Sequence, residues 1–339
     1  MLQQGRTRAG TKADVITVVL GTWFSVGLFL DAWAHSNLTE LESFFTPWHA
    51  VFYSGFSATA AWICWLVYRN YQQGRRGLNA VPVGYGPAVL ALPVFAVMGV
   101  LDYTWHSILG IETDIEILFS PTHLGLAAAM IVIMATPLRT AWLDTSRDKP
   151  SFPALLSLGF CASLVLLFLQ YADATVYPAE AIVERFSYEQ GKSTGIVGKL
   201  TASIFVTNLV MLAPLLFAAR RWTLPFGTAT TVQVIVAGLS ASITAFSNLG
   251  IAAALVLSGV ATDLLLVKLR PSEQRVVQYR LFGFLMPLIT WLFYFGGAIV
   301  LTGRFPTVTE TWTGVPLVAA LSGLLLAVLF VPKPVPVRL

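Results

Sequence analysis

Charge is scarce in this chain: Asp, Glu, Lys and Arg make up only 11% of its 339 residues, against 56% hydrophobic. Soluble domains carry about a quarter charged residues, so a soluble globular protein is excluded, and a disordered one more firmly still. Cysteine is rarer, with two. Cys64 and Cys161 lie inside apolar runs without Cys-x-x-Cys spacing, which excludes a disulfide framework and a thiolate metal site. They read as small packing residues. Gly-x-Ser-x-Gly, His-Glu-x-x-His and phosphate-binding loops are all missing, so the familiar hydrolase and nucleotide-binding chemistries lack their residues. A net charge of +4 is no nucleic-acid signature, because the basic residues gather on one side of the apolar runs, and no nucleic-acid partner is expected.

What is present is hydrophobic length. Apolar runs of about 20 residues recur from end to end, each enough to cross a hydrocarbon layer of roughly 30 Å. Short alternating segments of the kind that build a membrane barrel are not visible. The expectation is an all-α, polytopic integral membrane protein with about 10 transmembrane helices in a single membrane domain over 1–339. A first hairpin spans 14–68 and a second 84–142; the remaining transmembrane helices fall in 150–331. The stretch 230–268 is too long for one crossing and is split at Ser247–Gly250. Of the 21 basic residues, 17 fall in alternate loops and tails, which places both termini in the cytoplasm and loops 36–46 and 108–120 outside. Residues 1–13 form a short basic tail without a cleavable signal. The longest outer loop, 173–195, reads as an amphipathic lid.

Histidine is rarer than charge, with four residues, and its placement is the functional signal. All four histidines lie in two copies of one template, DAWAHSNLTELESFFTPWH at 31–49 and DYTWHSILGIETDIEILFSPTH at 102–123. Asp31, His35, Glu42, Phe45, Pro47 and His49 match Asp102, His106, Glu116, Phe119, Pro121 and His123. Asp and His at i and i+4 share one helix face. Thr46 or Ser120 suits an N-cap, Pro47 or Pro121 the first helical position, and His49 or His123 then falls in the first turn. Each hairpin can gather one carboxylate and two imidazoles at one spot, with Glu42 or Glu116 in reach as a further ligand or supporting carboxylate. Two histidines and a carboxylate suit copper, zinc or iron and leave coordination positions open. A lone Asp-x-x-x-His at a helix end is an ordinary interfacial pair. Two copies agreeing at six positions and using every histidine point instead to metal binding, at a membrane depth where ionisable groups are costly. Trp33, Trp48, Tyr103 and Trp105 nearby read as interfacial belt residues.

At these residues the chain resembles the C subunit of the particulate methane and ammonia monooxygenases. The second copy, D-Y-T-W-H with T-D and S-P-T-H, resembles that family's D-x-x-W-H…T-D-F-T-P-S-H segment. The resemblance implies copper ligands at Asp102, His106 and His123, which with Glu116 form the candidate catalytic set. The first copy resembles the family's N-E-W-G-H…E-E-x-F-x-A-P-L-H segment, implying a second copper at Asp31, His35 and His49. Asp31 stands where the family has Asn, and the two segments occur in the opposite order. The resemblance covers about residues 25–130. The family's enzymes use two further subunits, which nothing here resembles.

The expectation is therefore a copper-binding membrane monooxygenase, or the metal subunit of one, using dioxygen on a small apolar or lipid-soluble substrate. The lipid bilayer and either partner subunits or further copies of the chain are its expected partners. A membrane copper transporter or delivery factor is the alternative, with a polar path at Asn208, Gln233, Asn248 and Asp263. A zinc hydrolase at the interface is a third reading.

Overall fold

The computed structural model describes residues 6–38, 46–109, 118–187 and 195–332. Among these, every regular element is helical apart from an isolated β-bridge between Ser272 and Arg275. The α-helices run α1 Thr11–Asn37, α2 Pro47–Gln72, α3 Gly86–Leu109, α4 Pro121–Met134, α5 Thr136–Trp142, α6 Phe152–Phe168, α7 Ala179–Arg185, α8 Gly195–Arg221, α9 Thr228–Ile243, α10 Leu249–Leu269, α11 Val276–Thr302 and α12 Thr309–Phe330.

Seven of these, α1, α2, α3, α8, α10, α11 and α12, are long and apolar enough to cross a membrane. The count is eight if α4 and α5, bent by 41° at Ala135, form one span. That is fewer than the ten expected, because α6 and α9 have only 17 and 16 residues. The second half of the 84–142 hairpin breaks at Ala135, where Pro137 cannot supply a backbone N–H. Side chains take up carbonyls at the break: Arg139 Nη2 donates to Val132 O at 2.6 Å and Ser157 Oγ to Met134 O at 2.5 Å.

The chain divides into two compact units, Met1–Phe168 with Ser242–Ala245, and Leu169–Ala241 with Phe246–Leu339. The first holds both hairpins and also α6, which the sequence grouped with the later helices. In it α1 packs along α2 and α3 along α4, while α6 lies against α1 and α4. The α1–α2 contact is close because two positions lack a side chain. A Cβ at Gly27 would come 2.8 Å from Phe52 Cα, and one at Gly55 2.6 Å from Phe24 Cα. These two contacts set an antiparallel register that carries Asp31 opposite the start of α2, where His49 lies. Phe24 meets Phe52 and Phe95 at ring separations of 5.3 and 5.1 Å, tying α3 to the first hairpin. At the other end of the bundle, buried Asp14 accepts from Tyr85 Oη at 3.0 Å and Thr140 Oγ1 at 2.7 Å. Burial pushes the Tyr85 hydroxyl well above its ordinary pKa, so it stays a donor.

In the second unit the stretch after α6 is no loose lid over its described part. Ile182, Val183 and Phe186 are buried among Trp291, Tyr294 and Phe295. Asp173 accepts from the Thr175 backbone N–H and hydroxyl, both at 2.8 Å. Asn248 Nδ2 donates to Thr175 O and Tyr294 Oη to Ala174 O.

Candidate metal centres

Each centre is built by one helix end and one helix start. Asp31 and His35 occupy successive turns of α1, as Asp102 and His106 do in α3. Thr46 caps α2 by accepting from the His49 backbone N–H at 3.1 Å, and Ser120 caps α4 by accepting from that of His123 at 3.2 Å. The same two hydroxyls lie 3.0 and 2.5 Å from Nδ1 of those rings. One N-cap oxygen thus starts the helix and seats the imidazole, leaving Nε2 turned toward the carboxylate.

The donor atoms converge. His35 and His49 Nε2 lie 3.9 and 3.5 Å from Asp31 Oδ2. In the second copy His106 Nε2 is 3.7 Å from Asp102 Oδ2 and His123 Nε2 3.4 Å from Oδ1. Within each triad one donor atom per residue lies within 4.8 Å of the others. Direct N–H···O bonds are shorter, at about 2.7–3.2 Å. Two donors each about 2.0–2.1 Å from a common ion, at a tetrahedral angle, stand about 3.3–3.4 Å apart. The separations therefore fit a shared cation better than hydrogen bonds. Asp31 Oδ1 points the same way: it is buried and has no hydrogen-bond partner among the described residues, a costly state for a carboxylate that a cation relieves. Glu42, Glu116 and Phe45 lie outside the described residues.

Equivalent residues of the two copies face one another. Asp31 and Asp102 line one cavity, and Phe24 touches Phe95, its counterpart 71 positions on. A cavity of about 30 Å³ lies between the triads, lined in matching pairs by Asp31 and Asp102, His49 and His123, Phe52 and Leu126, Tyr53 and Ala127. It has room for one or two water-sized molecules. The two hairpin sites, which the sequence leaves open as separate mononuclear sites or one dinuclear centre, are neighbours across one small chamber.

Two residues at the site were not singled out from sequence. Thr122 Oγ1 donates to Asp102 Oδ1 at 2.7 Å, where the first copy has Trp48 packed on Trp33; its signal was its place between Pro121 and His123. Tyr53 lies one turn beyond His49 on the same face of α2, its ring 6.2 Å from the imidazole, and the i, i+4 spacing would have found it. Of the expected belt residues, Tyr103 lines an apolar groove that also reaches His49. Three of the four polar residues proposed for a transport path are engaged in packing. Asn208 bonds Ala319 O and Trp291 Nε1, Asn248 bonds Thr175 O, and Asp263 accepts the Ala229 and Thr230 backbone N–H groups. No family model, curated protein or solved structure matches the chain, so the two triads themselves carry the functional reading.

Proposed function

We propose that the chain is a metal-dependent membrane oxygenase, or the metal-bearing subunit of one, with one ion held by Asp31, His35 and His49 and another by Asp102, His106 and His123. The observation that supports it is the duplication of one convergent donor set around a shared buried chamber. Two imidazoles and a carboxylate suit copper, zinc and iron; the resemblance of the motifs to the copper monooxygenase subunit favours copper. Bound copper would supply the redox chemistry that activates dioxygen toward a small apolar substrate. The protein's part is to hold and shield. Thr46 and Ser120 orient His49 and His123, Thr122 holds Asp102, and Phe52, Leu126 and Met130 keep water from the chamber. Glu42 and Glu116 remain candidate supporting carboxylates.

The basic-residue bias places the centres toward the outer face with both termini cytoplasmic. It also favours α6 and α9 as short crossings that complete ten. With α8 long and apolar enough to cross, Lys149 and Arg220–Arg221 fall on one side only if α6 crosses as well, and 17 residues rise about 25 Å.

Metal content of protein purified in mild detergent tests this reading. Copper bound in both triads, with the second share lost in a His106→Ala/His123→Ala variant that stays folded, is the expected result. Stoichiometric zinc, or metal that ignores the double substitution, would remove the oxygenase reading.

A further inference from the structure

Beside the first triad, between α2 and α3, runs an apolar groove of about 750 Å³. Tyr53, Phe56, Phe95, Gly99, Val100 and Tyr103 line it, with His49 and Thr46 at the end formed by the start of α2. Its size falls in the range of small-molecule sites, and its few polar atoms gather at that end. Gly99 helps keep it open: a Cβ there would come 3.2 Å from the Tyr53 ring.

The repeat shows how the opposite flank of the pair differs. The counterparts of Phe56, Phe95 and Tyr53 are Met130, Phe24 and Ala127, all buried, and Leu28 stands where Gly99 does. Where α1 and α4 carry those counterparts, α6 packs on the bundle and its Phe168 lines the inner chamber. On the α2–α3 side the chamber and the groove share two wall residues, Tyr53 and His49.

We propose that this groove binds a small hydrocarbon entering sideways from the bilayer, and that Tyr53 is the gate between it and the chamber. This rests on the metal reading and deepens it. The first triad, through His49, meets the substrate, and the second triad acts behind it. Three features carry the proposal: a metal-ligand candidate in the groove wall, an apolar lining, and a tyrosine, Tyr53, that lines both groove and chamber. Exposed Val94, Val97 and Val100 on the same helix give the groove a lipid-facing rim.

The experiment is photolabelling of the full chain in phospholipid nanodiscs with a short alkane bearing a diazirine, mapped by mass spectrometry, with metal content measured on each sample. Label is expected on Tyr53, Phe56 and Phe95. Gly99→Leu, or Ala96→Phe on the exposed rim if the former misfolds, should lower that label about tenfold with metal retained. Tyr53→Ala should carry label inward to Leu126 and Met130, whereas Tyr53→Phe should not. Label unchanged by the blocking variants would overturn the proposal. So would preferential labelling by a diazirine phospholipid that the alkane cannot displace, or a crosslink to a second copy of the chain. Labelling as expected in protein lacking bound metal would sink the metal reading and leave the groove standing.

Discussion

Thr122 shows how one hydroxyl separates two otherwise matched centres. It donates to Asp102 Oδ1 at 2.7 Å, whereas the corresponding place beside Asp31 holds Trp48, which has no hydroxyl to offer. A carboxylate held by a neighbour is aimed before an ion arrives, and loss of such partners typically weakens metal binding about 10–100-fold. Thr122→Val should lower affinity at the second triad by that order and spare the first, with Thr122→Ser restoring it. Titration against a chelator of known affinity measures both steps, and equal loss at both triads would refute the assignment. At this scale the sequence was most legible, since all six triad residues come together as the duplicated spacing implied. Thr122 and Tyr53 escaped because a threonine and a tyrosine inside apolar helices resemble belt and packing residues until their neighbours are known.

The hairpins depend on the absence of side chains at two points. A Cβ at Gly55 would lie 2.6 Å from Phe24 Cα, closer than packed atoms allow. The backbone of α1 would have to move, and with it the register that brings Asp31 opposite His49. Gly55→Ala should therefore cost about 1–3 kcal/mol and empty the first triad before the second. Gly314→Ala in α12, where nothing lies within 4 Å, should change stability by less than about 0.5 kcal/mol. Denaturant titration in detergent, read together with metal content, separates the two; a silent Gly55→Ala would break the argument. Helix positions were readable from apolar length, yet the bend at Ala135 and the early end of α6 at Phe168 were not. Hydropathy reports what a segment tolerates, whereas a proline's missing donor and a serine on the next helix decide where it breaks.

The whole molecule joins a unit bearing the triads to one whose buried polar groups hold its packing. Burial raises the Asp173 carboxyl from 3.8 to about 6, against the hydrogen bonds from Thr175 that lower it. Between those values the folded protein keeps a proton that the unfolded chain has released. Stability should therefore fall as pH rises from about 4 to 6 and remain lower above that range. Asp173→Asn keeps an acceptor for Thr175 and removes the charge. It should flatten that slope and gain up to about 2–3 kcal/mol at pH 8, as read by unfolding titrations across the pH range. Identical slopes in both proteins would show that Asp173 is already neutral or already compensated. The segment carrying it reads from sequence as an acidic outer lid, because burial of a carboxylate leaves no mark in composition.

The repeat extends past its six shared residues into the way each hairpin closes. Gly27 on α1 meets Val51 and Phe52 on α2; at the equivalent point Met98 on α3 covers Gly125 on α4, its Sδ 2.6 Å from where a Cβ would be. The glycine has changed partners while the junction has kept its place. Neither hairpin's halves are interchangeable parts: α1 set against α4 would bring two glycines together over a void, and α3 against α2 would drive a methionine into Phe52. With Phe24 touching its own counterpart Phe95, equivalent residues meet as they do across the interface of a two-fold dimer. The two halves differ by such exchanges, and they differ in cover as well: α6 lies over the α1–α4 flank, while Val94, Val97 and Val100 of α3 stay exposed on the other.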